Sequence, residues 1–152
     1  MKAFFRLIQL LMTGGSIYAL IELLFRGYTH WTMYLLGGVC FILIGVINNT
    51  FTYEMPLILQ MFISTLVITG AELLIGVIVN VWLGWNVWNY SQMPFNFLGQ
   101  ICLLFSVGWF FLSPLAIFIE DYWQYLFNKG KKPYYYVFRW GKPKEKWKLF
   151  RL

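Results

Sequence analysis

The most constraining feature of this sequence is a set of long, nearly uncharged apolar runs. They extend from about Phe4 to Phe25, Trp31 to Phe51, Met55 to Leu83 and Phe95 to Ile119. A helix needs about 20 apolar residues to cross the hydrocarbon core of a bilayer, and each run is long enough. Barrel strands would alternate polar and apolar residues, and these runs do not. Lipid satisfies no backbone polar groups, so runs of this kind are read as helices. The third run is longer than the minimum, so it tilts or starts in the interface. The fourth contains Pro114, which is expected to kink the helix or leave a carbonyl free.

Composition agrees. The chain of 152 residues is 60% hydrophobic, 22% aromatic and only 12% charged. A soluble domain carries about 25% charged residues, so a water-soluble globule and a disordered chain are both excluded. Cys40 and Cys102 lie inside apolar runs and form neither a metal pair nor a disulfide framework. The fold class expected is an all-α integral membrane protein. A four-helix transmembrane domain spans residues 1–127, and a basic, aromatic cytoplasmic tail spans 128–152.

The charge is unevenly placed. Lys129, Lys131, Lys132, Arg139, Lys142, Lys144, Lys146, Lys148 and Arg151 make up nine of the twelve basic residues. They are read as a lipid-surface anchor facing anionic headgroups, not as a nucleic-acid patch. A docking surface for a cytoplasmic partner is the alternative. Lys2 and Arg6 mark the other end, and the segments 48–54 and 84–94 carry no basic residue. With an even number of spans, the positive-inside rule puts both termini in the cytoplasm of a multi-pass cell-membrane protein.

A weak internal repeat is visible. Ile21-Glu22-Leu23-Leu24 matches Ala71-Glu72-Leu73-Leu74, and Gly37-Gly38-Val39-Cys40 matches Gly99-Gln100-Ile101-Cys102. The repeat predicts two helical hairpins related by an axis along the membrane normal. Chance similarity in apolar sequence is the competing explanation.

Few polar groups remain inside the spans, and each is a candidate for function because burying it in lipid is costly. Gly15, Tyr18, Glu22 and Arg26 share one stripe of the first helix. Gln60, Ser64, Glu72, Gly76 and Asn80 recur at four-residue spacing on the third, broken only by Ile68. Arg26 reaches Glu22 at i+4. Glu72 has no basic partner on its own helix, so Arg26 or His30 is expected to approach it, or it carries a proton. Gly38, Gly45 and Asn48 on the second helix, and Asn96, Gly99, Ser106 and Ser113 on the fourth, complete a small polar interior opening toward the outer leaflet. Trp82 and Trp85 read as an aromatic belt. Trp88, Asn89, Tyr90 and Ser91 are dense enough to fold back as a cap. The candidate substrate or ion path is therefore Glu22, Arg26, His30, Glu72, Asn80, Trp88, Tyr90 and Asn96. Against it stands a purely structural reading, with an ion pair that staples helices, glycines for close packing and an interfacial histidine.

Enzyme signatures are missing. There is no G-x-x-x-x-G-K-[ST] loop, and a single histidine excludes the usual zinc sites. No cofactor or metal is implied.

Two blocks carry a family resemblance. The first runs from Tyr18 to Gly45 through Glu22, Arg26-Gly27, Thr29-His30-Trp31-Thr32-Met33 and Leu36-Gly37-Gly38. The second comprises Trp88-Asn89-Tyr90-Ser91, Pro94-Phe95-Asn96, Gly99-Gln100-Ile101-Cys102 and Trp109. Together they resemble the small bacterial membrane proteins described as ABC-transporter permeases of the CmpB type. A typical member has Trp-Asp-Tyr-Ser where this chain has Asn89. The resemblance extends to about Ile119 and leaves out the tail. It implies a transporter component that assembles with itself and recruits a separate ATPase subunit. A membrane-embedded enzyme or headgroup binder using Glu22, Arg26, His30 and Glu72, and a purely structural subunit, are the competing readings.

Overall fold

In the computed structural model, which describes residues 2–51, 55–127 and 132–138, the apolar runs fold as helices. Helix α1 spans Lys2–Arg26, α2 spans Trp31–Phe51 and α3 spans Leu57–Gly76. Helix α3 continues as a π-helical stretch, Val77–Trp82. Two short strands follow, β1 (Asn96–Phe97) and β2 (Ile101–Cys102), and then α4 (Leu103–Phe127). By length and composition, α1 from Phe4, α3 with its π-helical extension, and α4 are each able to cross a membrane. The described apolar stretch of α2, Trp31–Ile47, is shorter.

The distribution of side chains is that of a protein whose outer solvent is lipid. Phe5, Leu24, Phe62, Leu66, Leu74 and Phe111 are exposed on the outer faces of the helices, while Gln60, Ser64, Glu72, Ser113, Glu120 and Asp121 are buried. The two helical stripes read from the sequence face inward. Gln60, Ser64, Ile68, Glu72 and Gly76 are all buried on α3, and Gly15, Tyr18 and Glu22 are buried on α1.

Helices α1 and α2 pack through small residues, which let two backbones approach closely where no hydrophobic force drives association. A Cβ on Gly14 would collide with Phe41, one on Gly37 with Tyr18, and one on Gly38 with the carbonyl of Leu11. The connection is a tight turn. Gly27, at φ 75°, ends α1, and its amide donates to the Leu23 carbonyl over 3.0 Å, the left-handed cap that glycine permits. His30 then starts α2, with its Nδ1 2.8 Å from the Thr32 hydroxyl and 3.4 Å from the Thr32 amide.

Helix α4 lies against α3 and also touches α2. Pro114 has no N–H to give the Phe110 carbonyl, and the hydroxyl of Ser113 donates to that carbonyl instead, at 2.9 Å. The carbonyl freed by proline is thus satisfied one residue away.

The start of the fourth helix differs from the sequence expectation. Residues 96–102 form an antiparallel pair, with Asn96 opposite Cys102, and the helix begins at Leu103. Phe95, Leu98 and Gly99 have φ of 53°, 54° and 67°, conformations that an α-helix cannot accommodate. Apolar composition alone does not reveal them. Asn96 and Gly99 are therefore not on a helical face with Ser106 and Ser113. The second half of the internal repeat also separates, since Gly37–Cys40 is helical while Gly99–Cys102 is a turn and strand.

The beginning of the tail packs on protein. The Leu57 and Ile58 amides, unpaired at the start of α3, donate to the carbonyls of Tyr136 and Val137 at 2.5 and 3.3 Å. Tyr135 is buried against Phe118 and donates to Asp121 at 2.6 Å. Lys132 is exposed. Lys129, Lys131, Arg139, Lys142, Lys144, Lys146, Lys148 and Arg151 lie outside the described residues.

Candidate functional site

The centre of the candidate site is Glu72, 1% exposed in the middle of the bundle. Its carboxylate is held from two other helices. Tyr18 on α1 donates to Oε1 at 3.0 Å, and the indole Nε1–H of Trp109 on α4 donates to Oε2, also at 3.0 Å. The two donor rings stack on each other, with centroids 5.3 Å apart. A carboxylate buried in apolar surroundings needs hydrogen-bond donors or a counter-charge, and here it has one neutral donor on each oxygen.

The expectation that Arg26 or His30 would meet Glu72 is not met. Arg26 pairs with Glu22 one turn along its own helix and lies 4.8 Å over the ring of Tyr28. The second oxygen of Glu22 accepts from Thr29 at 2.6 Å. The i,i+4 spacing places these charges together before any tertiary contact forms. His30 is occupied at the start of α2, and its ring packs near Trp31 and Trp85. Glu22, Arg26 and Thr29 thus form one group at the end of α1. Glu72 with Tyr18 and Trp109 forms another, deeper one.

A third group closes that end of the bundle. The π-helical turn widens the helix, so that Leu83 N–H reaches back to Ile78. Such turns recur at functional sites. Asn80, inside this turn, accepts from the Val87 amide and donates to the Gln100 side chain, both at 2.7 Å. Trp88 is 3% exposed and donates to the Gln100 carbonyl at 2.9 Å. Gly76 makes room for them: a Cβ there would lie 2.6 Å from Gln100 Oε1 and 3.0 Å from the Trp88 ring. Of the stretch Trp88 to Ser91, it is Trp88 that folds back onto the bundle, while Asn89 and Ser91 are exposed. Trp82 and Trp85 are exposed, as a belt requires.

Tyr90 stacks on Phe105 at 4.7 Å. Burial raises its hydroxyl above the usual tyrosine range, and the nearby Glu72 carboxylate adds to this, so Tyr90 remains a neutral phenol. Asn96 acts within the loop, with its side chain bonded to Ser91, Met93 and Gly99.

Beneath the Tyr18 and Trp109 rings lies a cavity of about 60 Å³, lined by Ile17, Ile44, Ile68, Ala116 and Ser113 among others. Apart from Ser113 and the ring edges its walls are apolar, and apolar cavities of this kind stay dry.

Sequence reasoning missed several members. Tyr18 lies on the polar stripe of the first helix, yet the stripe alone assigns it no role, and Trp109 enters the sequence reading only within a motif. An indole N–H is a donor that buried tryptophan must satisfy, and this signal was available. A separate polar group at the other end of α4 was also missed. Glu120 and Asp121 are buried, Gln124 donates to Glu120, and Arg6 and Gly45 line the same hollow of about 200 Å³ as Glu120. The i,i+4 pair Glu120 and Gln124 was its sequence signal.

No group of histidine, cysteine, aspartate and glutamate suited to a metal ion occurs among the described residues. A family model described as Putative ABC-transporter type IV matches residues 15–140. The match includes Tyr18, Glu72 and Trp109, and it extends through the tail segment 132–138 that packs on α3. No curated protein and no solved structure matches the chain.

Proposed function

The chain belongs to the CmpB-type ABC-transporter family, matched over residues 15–140, and from that premise we propose that it is the permease-type membrane subunit of a transporter. Its four helices all span the bilayer, with both termini on the cytoplasmic side of the cell membrane. The sequence has no phosphate-binding loop, so ATP hydrolysis comes from a separate ATPase subunit. With four long helices among the described residues, the path is completed by further copies.

The observation that carries this reading is the Glu72 arrangement. A carboxylate held by Tyr18 and Trp109, with no cationic side chain on it among the described residues, has an acceptor suited to a proton or to a cationic group of a solute. Glu22 and Arg26 form the outer charged step, and Trp88 with Gln100 and Asn80 forms the closure above. The cavity of about 60 Å³ beneath Tyr18 fits a closed state of such a path.

The headgroup-binding alternative is weaker. Arg26 is already paired with Glu22, and His30 is engaged with Thr32.

The test is co-purification from the native membrane followed by flux in liposomes. The expected results are an ATPase chain retained with the protein and ATP-dependent solute flux lost in Glu72→Gln. Absence of both a retained ATPase and any flux overturns the proposal.

A further inference from the structure

We propose that the β1–β2 hairpin is a lipid-dipping element, with Phe95, Phe97 and Leu98 seated at the boundary between headgroups and acyl chains. The segment from Leu83 to Cys102 contains no Lys, Arg, Asp or Glu, so no formal charge in it resists entry into a low-dielectric layer.

The hairpin has two unlike faces. Trp88, Gln100 and Cys102 are buried against the bundle, whereas Phe95, Phe97 and Leu98 are 82%, 56% and 62% exposed. The backbone holds this arrangement at a cost. Phe95 and Leu98 have φ of 53° and 54°, a region that bulky L-residues avoid. Strain of this kind persists where the surroundings over-determine it, and it is a pointer to function.

Non-helical backbone is excluded from the hydrocarbon unless its polar groups are satisfied by protein. This hairpin satisfies several of its own. Asn96 donates to the Ser91 and Met93 carbonyls and accepts from the Gly99 amide. The amides of Tyr90, Gln100 and Leu103 donate to the carbonyls of Gly99, Phe97 and Phe95.

The occupant is lipid because the apolar face continues directly into α4. Leu103, Leu104 and Phe111 on that helix are exposed, and on a membrane-spanning helix such a face meets acyl chains. The hairpin extends that surface into the interface, where aromatic rings are favoured.

The test uses the full chain in lipid bilayers containing a lipid with a photoactivatable diazirine in its acyl chain. Mass spectrometry after illumination is expected to find adducts on the Phe95–Leu98 peptide as well as on Phe111, with none on Asn86. In a second measurement, nitroxide labels are placed at Phe97→Cys and Asn89→Cys. The ratio of oxygen to aqueous nickel-chelate collisions at position 97 is expected to be several times that at 89. Labelling of α4 without labelling of the hairpin overturns the proposal. So do equal collision ratios at the two positions, or dipolar broadening showing that a second copy covers position 97. None of these readouts depends on flux, so failure of the transporter reading leaves this proposal separately tested.

Discussion

The hydroxyl of Tyr18 donates to Oε1 of Glu72 across 3.0 Å, joining α1 to α3 at residues 54 positions apart. Trp109 holds the other oxygen from α4. Three helices therefore converge on one carboxylate, and its two donors differ in a useful way. Tyrosine can reverse and accept a hydrogen bond, whereas an indole N–H can only donate.

This difference separates stability from function at Glu72. A glutamine there keeps its carbonyl toward Trp109 and donates its amide to Tyr18. Glu72→Gln is expected to change stability by less than about 1 kcal/mol, while Glu72→Leu strands both donors and costs about 1–3 kcal/mol for each. Thermal unfolding in detergent checks the pair. A Glu72→Gln protein as unstable as Glu72→Leu would contradict the geometry.

Gly37 sits against Tyr18, so Gly37→Ala is expected to force α2 away from the residue that holds Glu72. Overpacking of this kind costs about 1–3 kcal/mol. A Cβ at Gly108 would meet nothing within 4 Å. Gly108→Ala should leave packing intact and gain up to about 1 kcal/mol from helix propensity. Unfolding midpoints of the two variants, moving in opposite directions from the parent, are the measurement.

Asn80 pins the closing loop through Val87 and Gln100. Asn80→Ala removes both bonds and leaves buried groups unpaired, at about 1–3 kcal/mol. Hydrogen exchange of amides between Val87 and Cys102 should accelerate, with helix α1 unaffected. Unchanged exchange would show that Trp88 and Gln100 hold the loop without it.

The tail segment is testable from the far side of its contact. Tyr135→Phe removes the donor to Asp121 and should loosen the tail segment 132–138, the strap across the start of α3, by about 1–3 kcal/mol. The amides of Leu57 and Ile58 donate to that strap, so their exchange is the local readout and should rise.

Leu98 holds a left-handed conformation that costs a branched L-residue roughly 1–2 kcal/mol, and asparagine tolerates it better. Leu98→Asn should raise the unfolding midpoint in detergent yet reduce photolabelling of the hairpin by acyl-chain probes. A rise in both would mean that the strain is unrelated to lipid contact.

Much of this was legible without coordinates. Glu22 and Arg26 are one turn apart, so helix geometry alone pairs them. The four-residue spacing of Gln60, Ser64, Glu72 and Gly76 placed them on one buried face, since a polar stripe cannot face lipid. Other features were not legible. The partners of Glu72 lie 54 and 37 positions away, and any of several donors would have satisfied the same chemistry. The late start of α4 depends on positive φ at Phe95 and Leu98, which apolar residue types do not announce.

The sequence by itself determined the solvent and the periodicity: lipid outside, helices within it, and a short set of polar groups turned inward. These follow from local rules, because run length and i,i+4 spacing act along one helix. Tertiary structure decided which of those groups meet. It assigned Glu72 to Tyr18 and Trp109 instead of Arg26, folded residues 96–102 into a hairpin, and laid the start of the basic tail over α3. Each of these outcomes depends on contacts or backbone turns set between segments distant in sequence, which spacing along a single helix does not specify.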